Sequence, residues 1–160
     1  VLENIRMARP SATLEEIRAA ARAAQCDDIL EKLPQGIDTV VGAQGVYLSG
    51  GEAQRIALAR AILKDAPIVV LDEATAFADP ENEHQIQKAF ETLTRNKTVL
   101  MIAHRLSTVQ NADNIIVLNE GKIAEQGSHS ALLEKNGVYA AMWADYQRSA
   151  QWKVGKEAAV

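Results

Sequence analysis

Residues 48–55 read LSGGEAQR, and residues 56–76 continue as IALARAILKDAPIVVLDEATA. Two glycines directly precede a run of helix-forming residues, and an apolar segment that ends in two acids follows closely. Ser49 is a favourable N-cap, so the pattern predicts a helix from about Gly51 to Lys64. The continuous apolar run IVVL at 68–71 predicts a strand that is buried on both faces of a parallel sheet.

The rest of the chain alternates between helical and extended patterns. Thr13 followed by Glu16 predicts a capping box at the start of a helix, and Pro80 is expected at the first position of another. TVLMIA at 98–103 predicts a second buried strand, NIIVL at 114–118 a third, and NEGK at 119–122 a hairpin turn. The C-terminal end is predicted to be helical with a break near Gly137. This order of elements predicts an α/β layered core.

Composition narrows the class of protein. Hydrophobic residues make up 48% and charged residues 24% of 160 residues, which is ordinary for a globular domain. The net charge of −4 provides no general attraction for nucleic acid. No apolar run approaches the 18 residues of a membrane-spanning helix. The single Cys26 excludes an internal disulfide and is expected to be a packed residue.

The start of the predicted helix has the features of an anion site. A helix N-terminus carries partial positive charge and unpaired N–H groups, so it binds phosphate well. Ser49 adds a hydroxyl group, and Gly50 and Gly51 let an anion approach the backbone without a Cβ in the way. Taken alone, SGG is explained better by a serine N-cap and a glycine hinge.

The two acids after the apolar run allow two interpretations. Asp72 and Glu73 are expected at the C-terminal end of a buried strand, where open α/β sheets bind ligands. Taken alone, such a pair is more often just solvated. In a Walker B element, however, the first acid orients Mg²⁺ and the second polarises the water that attacks a phosphate. Adjacent strand residues point in opposite directions, so the two acids can do different work.

The segments together resemble the ATPase domain of ATP-binding-cassette (ABC) transporters of the exporter type. YLSGGEAQRIALARAILKDAPIVVLDEATAFADPENE at 47–83 is similar to the signature helix, Walker B strand and D-loop of that family. VLMIAHRLSTVQNADNIIVLNEGKIAEQGSH at 99–129 is similar to the switch histidine and the strands after it. VLENIRMARP and DTVVGAQGVYLSGG resemble the segments before the signature, and ATAFADP and DYQRSAQWKVG resemble siderophore-related members.

The resemblance implies a cofactor-binding segment and its ligands. The signature would comprise Leu48, Ser49, Gly50, Gly51 and Glu52. Ser49 and Gly51 would contact the γ-phosphate of an ATP molecule that a partner subunit holds. Glu52 stands where many members have glutamine, a variant that should keep the phosphate site. The cofactors implied are ATP and Mg²⁺.

The resemblance also implies the residues of hydrolysis. Asp72 would be the Walker B aspartate on the metal, and Glu73 the catalytic base. Asp79 would be the D-loop acid that reaches across the dimer interface, and His104 the switch histidine at the γ-phosphate. A lone histidine after an apolar strand is more often structural, but His104 follows the other motifs in the family's order.

The phosphate-cradling pattern Gly-x-x-x-x-Gly-Lys-Ser/Thr does not occur in the 160 residues. We therefore expect a partial P-loop NTPase domain whose Walker A strand is absent, the C-terminal portion of a nucleotide-binding domain. Its regions would be a helical lobe with the signature at 1–64, a catalytic core portion at 65–128 and C-terminal helices at 129–160. The full-length protein is expected to be an ATPase and the chain alone inactive. Unpaired sheet edges predict self-association of the chain alone.

The resemblance implies two partners and a location. A second nucleotide-binding domain, identical or different, would complete each ATP site, and a transmembrane domain would be coupled to it at the cytoplasmic face of a bacterial inner membrane. One alternative is an interaction module that carries the signature without hydrolysing ATP itself. Another is a non-transport ABC ATPase, which the compact spacing of the motifs disfavours.

Overall fold

The computed structural model describes residues 1–72, 80–103 and 106–157. They belong to two compact units, Val1–Ile102 and Ala103–Val160, each with its own apolar core. The first unit combines five α-helices with a parallel pair of strands, and the second combines a hairpin with two α-helices. The α/β class predicted from the sequence is confirmed. The division at 64 and 128, which was based on motifs, stays a prediction.

Three helices of the first unit begin close to where the sequence predicts, after Thr13, after Ser49 and at Pro80. The five α-helices are α1 (Leu2–Arg6), α2 (Leu14–Ala23), α3 (Asp27–Lys32), α4 (Gly50–Lys64) and α5 (Pro80–Thr94), with a 3-10 turn at Gly36–Asp38. Thr13 and Glu16 form the predicted capping box at the start of α2. The Thr13 amide donates to the Glu16 carboxylate over 2.8 Å. The box supplies partners for helix-end amides that would otherwise have none.

Helix α4 lies at the centre of the first unit. It packs against α1, α2 and α5. Its buried residues include Ile56, Leu58, Ala59 and Leu63, which share one core with the apolar sides of the surrounding helices. From α5 one face enters the same core, with Ile86, Ala89, Phe90 and Leu93 all buried. A helix that is enclosed on several sides has a fixed position, so its first turn is held in place by the core.

The parallel strand pair is present, but it is less covered than predicted. Strands β1 (Ile68–Asp72) and β2 (Thr98–Ile102) pair in parallel, with Asp72 opposite Ile102. On β1 only Val69 and Leu71 join the core, while Ile68 and Val70 are 62% and 61% exposed. All five residues of β2 are exposed. The prediction of strands buried on both faces is therefore wrong, because in the described ranges the helical core takes side chains from one face of β1 alone.

The second unit contains the predicted hairpin, which follows a 3-10 turn at Leu106–Thr108. Strand β3 (Ile115–Asn119) pairs antiparallel with β4 (Lys122–Gly127). The turn residues Glu120 and Gly121 both have positive φ, 48° and 73°, which matches the twist of a two-residue hairpin turn. In the described part of the chain β3 pairs with β4 and not with the parallel strands. The sequence pattern predicted the strand without predicting this separate sheet.

Two helices complete the second unit, α6 (His129–Glu134) and α7 (Val138–Glu157), with the predicted break between them. The carboxylate of Glu125 on β4 accepts from the amides of Val138 and Tyr139 over 3.0 and 2.9 Å. It therefore caps α7 from a neighbouring strand. Gly137 allows this approach, because a Cβ there would lie 1.7 Å from a Glu125 carboxylate oxygen.

Buried apolar groups and a polar contact hold this unit together. Its core consists of Ile115, Val117, Leu132 and Tyr139. The Tyr139 hydroxyl lies 2.7 Å from Nδ1 of His129, which links α7 to the start of α6. No helix in the ranges 1–72, 80–103 and 106–157 combines the length and apolarity needed to cross a membrane.

Replacing Glu125 by alanine tests the cap of α7. We expect Glu125→Ala to lower the free energy of unfolding by about 1–2 kcal/mol, because two helix-start amides lose their acceptor. Amide hydrogen exchange should show faster exchange at Val138 and Tyr139. Glu134→Ala removes an exposed carboxylate from α6 and should leave these amides unchanged. Equal exchange in both variants would contradict the cap.

Candidate functional site

The first turn of α4 is built by the predicted serine cap. The Ser49 hydroxyl accepts from the Glu52 amide over 3.3 Å, and the Ser49 amide donates to the Glu52 carboxylate over 2.8 Å. The two residues therefore form a reciprocal capping box. Leu48, directly before them, packs against the core, whereas Ser49 and Gly50 are exposed. The result is an exposed helix start held on a packed anchor.

This helix start keeps polar groups that can bind an anion. The capping box uses the amides of Ser49 and Glu52 and does not use those of Gly50 and Gly51. A Cβ at Gly50 would meet no described residue within 4 Å, so no part of the described chain fills the space there. The Ser49 hydroxyl accepts one hydrogen bond and can still donate its own hydrogen. A phosphate oxygen would therefore find donors of the type that helix N-termini offer.

The second glycine has a different reason to be there. Gly51 is buried, and a Cβ at this position would lie 2.8 Å from Cγ and 2.9 Å from Cβ of Asn82 on α5. Contacts this short do not occur between real side chains, so α4 and α5 approach closely because residue 51 lacks a side chain. The sequence pattern alone suggests that both glycines let an anion approach the backbone. The structure adds helix packing as the physical reason for Gly51.

The side chain that orients this helix start is Arg55, which sequence reasoning missed. Arg55 is 2% exposed. Its guanidinium donates to both carboxylate oxygens of Asp28 on α3, over 2.6 and 3.0 Å, and to Oδ1 of Asn82 over 3.0 Å. It also donates to the carbonyl of Gln25, just after α2. One buried cation therefore connects α4 to the end of α2, to α3 and to the first turn of α5.

A sequence signal for Arg55 existed. Leu58, Ala59 and Ile62 lie three, four and seven residues after Arg55, so they share its side of a helix, and all three contribute to the core. A single cation on an apolar stripe predicts a buried ion pair, since an unpaired buried charge is costly. The pattern alone does not say that the partner carboxylate is Asp28.

The ion pair changes the chemistry of its acid. The hydrogen bond from Arg55 is the main cause that lowers the pKa of Asp28 below its usual value, against the opposing effect of partial burial. The Asp28 side chain is 49% exposed, so solvent screens part of the interaction. Nearby, burial raises the pKa of the Cys26 thiol to about 12. Cys26 is fully buried, which confirms the prediction of a packed residue.

The predicted metal ligand lies at the end of the parallel strand pair. Asp72 is the last residue of β1 and is exposed. Its neighbour in register is Ile102, the last residue of β2, so both strands end at the same edge of the sheet. Glu73, Asp79 and His104 lie outside the described residues. In sequence, Glu73 directly follows Asp72, and His104 comes two residues after Ile102.

Alanine at each of the two glycines separates their roles. We expect Gly51→Ala to destabilise the protein by roughly 1–3 kcal/mol, because its Cβ overlaps Asn82. Gly50→Ala should be neutral or slightly stabilising, because the space is open and alanine favours helix. Urea unfolding followed by circular dichroism measures both. Similar stabilities for the two variants would contradict the close packing of α4 on α5.

The Asp28–Arg55 pair predicts a pH dependence. The folded pKa of Asp28 is below the unfolded one, so its contribution to stability is present at neutral pH and is lost as the pH falls below about 4. We expect Asp28→Asn to cost about 1–2 kcal/mol at pH 7, less than a fully buried pair because Asp28 is half exposed. The difference in unfolding free energy between the wild type and Asp28→Asn should become smaller in acid. Asp27→Asn, an exposed neighbour in the same turn without the contact to Arg55, should cost less than Asp28→Asn when urea unfolding is measured at pH 7.

Comparison with known proteins places these features in a family. Residues 1–76 match the family model described as ABC transporter. The chain is 56% identical over 143 residues to the mycobactin import ATP-binding/permease protein IrtA of Mycolicibacterium thermoresistibile, covering 89% of the chain and 16% of that protein. It is 52% identical over 140 residues to the ATP-dependent lipid A-core flippase of Chromobacterium violaceum, covering 88% of the chain and 24% of the flippase.

A solved structure gives the same result for the fold. A bacterial Atm1-family ABC exporter with ATP bound matches with a TM-score of 0.77 and 46% identity, over 89% of this chain and 25% of the exporter chain. The chain thus spans a quarter or less of the length of these relatives. The range that the family model matches, residues 1–76, includes the helix start at Ser49 and the strand that ends at Asp72. The chain therefore belongs to the ABC transporter family, as part of a nucleotide-binding domain of the exporter type.

Proposed function

We propose that these residues are the signature-bearing part of an ATPase domain that couples ATP hydrolysis to transport across a membrane. The observation that carries the proposal is the start of α4, where Ser49 is exposed and none of the residues that the structure describes fills the space beside Gly50. A helix start of this kind binds phosphate. Relatives named as an ATP-dependent flippase and an import ATP-binding/permease protein support the transport role.

The residues present fit ATP and Mg²⁺. Ser49 and the amides of Gly50 and Gly51 would contact the γ-phosphate, with Leu48 and Glu52 holding this segment in place. The exposed carboxylate of Asp72 would bind the metal, because hard cations prefer carboxylate oxygens. Mg²⁺ supplies charge neutralisation on the phosphate oxygens when it is bound.

Three further residues would complete the reaction. Glu73 would act as the base that takes a proton from the attacking water, and His104 would contact the γ-phosphate. Asp79 would act at the interface with a second domain. The parallel register that ends β1 and β2 at the same sheet edge supports this assignment, because Glu73 and His104 follow those two strand ends in sequence.

The proposed assembly has two partners. A second nucleotide-binding domain would supply the phosphate-cradling loop opposite Ser49. A transmembrane domain would be coupled to ATP hydrolysis at the cytoplasmic face of the membrane. The exposed apolar side chains of β1 and β2 support a further expectation, that the chain on its own self-associates. Alone it should not turn over ATP, because the Gly-x-x-x-x-Gly-Lys-Ser/Thr pattern does not occur in these residues.

In this proposal, parts of the transporter other than these residues determine which substrate is transported. Relatives named for mycobactin import and for lipid A-core are similar to this chain to nearly the same degree, 56% and 52%. Residues shared so closely by proteins with different cargo do not distinguish between cargoes. We therefore assign these residues to energy supply and not to substrate recognition.

The base is tested by Glu73→Gln in the full-length transporter. We expect ATP hydrolysis to fall by at least about a hundredfold, because general base catalysis is lost. ATP binding should stay within about threefold, because the phosphate-binding groups are unchanged. Radioactive phosphate release measures the first effect and nucleotide filter binding the second.

Glu91→Gln provides the matched control, since it changes the same functional group at an exposed position of α5. It should hydrolyse ATP like the wild type. Normal hydrolysis by Glu73→Gln would exclude Glu73 as the base. A wild-type transporter without any ATP hydrolysis would overturn the proposed function itself.

A further inference from the structure

The contacts of Asn82 join two features of the site that were described separately. Its side chain lies against Gly51, within 3 Å of a Cβ built there, and its Oδ1 accepts from Arg55 over 3.0 Å. Gly51 and Arg55 are one helical turn apart on α4, so Asn82 contacts the same side of that helix twice. Asn82 belongs to the first turn of α5, three residues after Asp79 in sequence.

The partner of this contact is held firmly. Arg55 is fixed by a two-pronged bond to Asp28 and by the Gln25 carbonyl, so its guanidinium has little freedom to follow a moving Asn82. An apolar contact would permit sliding between α4 and α5, whereas directional hydrogen bonds from a fixed guanidinium select one arrangement. The starts of α4 and α5 are thereby held at a defined separation.

We propose that Arg55 and Asn82 are positioning residues for ATP hydrolysis, an inference that rests on the proposed function above. Their bond sets the start of α4, which carries Ser49, relative to the start of α5, which follows Asp79. In that function Ser49 and Asp79 act at the same ATP site between two nucleotide-binding domains. Misplacement of a group at such a site by about 1 Å can reduce the rate by up to a hundredfold. Neither Arg55 nor Asn82 touches the nucleotide in this proposal.

The test uses two replacements of Asn82 in the full-length transporter. Asn82→Leu keeps the shape of the side chain and removes the acceptor, and we expect kcat for ATP hydrolysis to fall about tenfold with KM for ATP changed less than about threefold. Asn82→Asp keeps an acceptor for Arg55 and should restore kcat to within about twofold of the wild type. Wild-type kcat in Asn82→Leu would overturn the inference.

A double-mutant cycle with Ser49→Ala separates positioning from a general loss of stability. If Asn82 acts through the start of α4, the double variant Ser49→Ala/Asn82→Leu should be little slower than the slower single variant. Independent effects, in which the two reductions multiply, would show that Asn82 has only a structural role. All rates are referred to the folded fraction, measured by thermal unfolding.

Arg55→Lys serves where Asn82→Leu does not fold, because it keeps the positive charge and removes the planar fork. It should show the same fall in kcat with little change in KM, and unchanged kcat would overturn the inference. Wild type and Glu73→Gln are measured alongside. Hydrolysis that depends on Glu73 but not on Asn82 or Arg55 refutes the positioning role alone. A wild type without hydrolysis refutes the proposed function and the inference with it.

Discussion

The buried guanidinium of Arg55 is the constraint on which the first unit depends. Arg55 is only 2% exposed and lies among apolar side chains. Its charge is stable there only if carboxylate and carbonyl oxygens surround it. Here those oxygens come from the end of α2, from α3 and from α5, so satisfying one side chain fixes the mutual arrangement of four helices. Hydrophobic burial supplies most of the stability of such a core, but apolar contacts are not directional. The directional hydrogen bonds of Arg55 determine how the helices are oriented.

The start of α4 combines stability with an open site. A capping box gives partners to two helix-start amides, and the geometry of the box leaves the glycine amides beside it to other acceptors. The Glu52 carboxylate accepts from the Ser49 amide, so it has a structural partner close to the proposed phosphate site. The first turn of α4 thus has hydrogen-bond partners within the chain itself.

How well the sequence predicts a contact in this structure depends on how far apart the two residues are along the chain. The capping box at Thr13, the serine N-cap at Ser49 and the turn at Gly121 involve residues within four positions of one another, and the sequence predicts them correctly. Arg55 and Asp28 are 27 positions apart, and so are Arg55 and Asn82, so their pairing follows only from how the helices pack. The burial of β1 and β2 was predicted wrongly for a related reason, since exposure depends on what covers a strand as well as on its own residues. Of the proposed site, Ser49 and Asp72 lie where the motifs predict them, at a helix start and at a strand end. The roles of Glu73, Asp79 and His104 stay predictions from the motifs.

The parallel pairing of β1 with β2 has a consequence for how the protein is made. A ribosome releases β1 before the whole of α5 and about 25 residues before β2, which at ordinary rates of synthesis takes about 1–5 s. During that time the backbone of β1 has no β2 to pair with, and Ile68 and Val70 face water as they do in the finished unit. The nascent chain therefore presents an unpaired apolar segment, the kind of segment that molecular chaperones bind, until β2 has also left the ribosome.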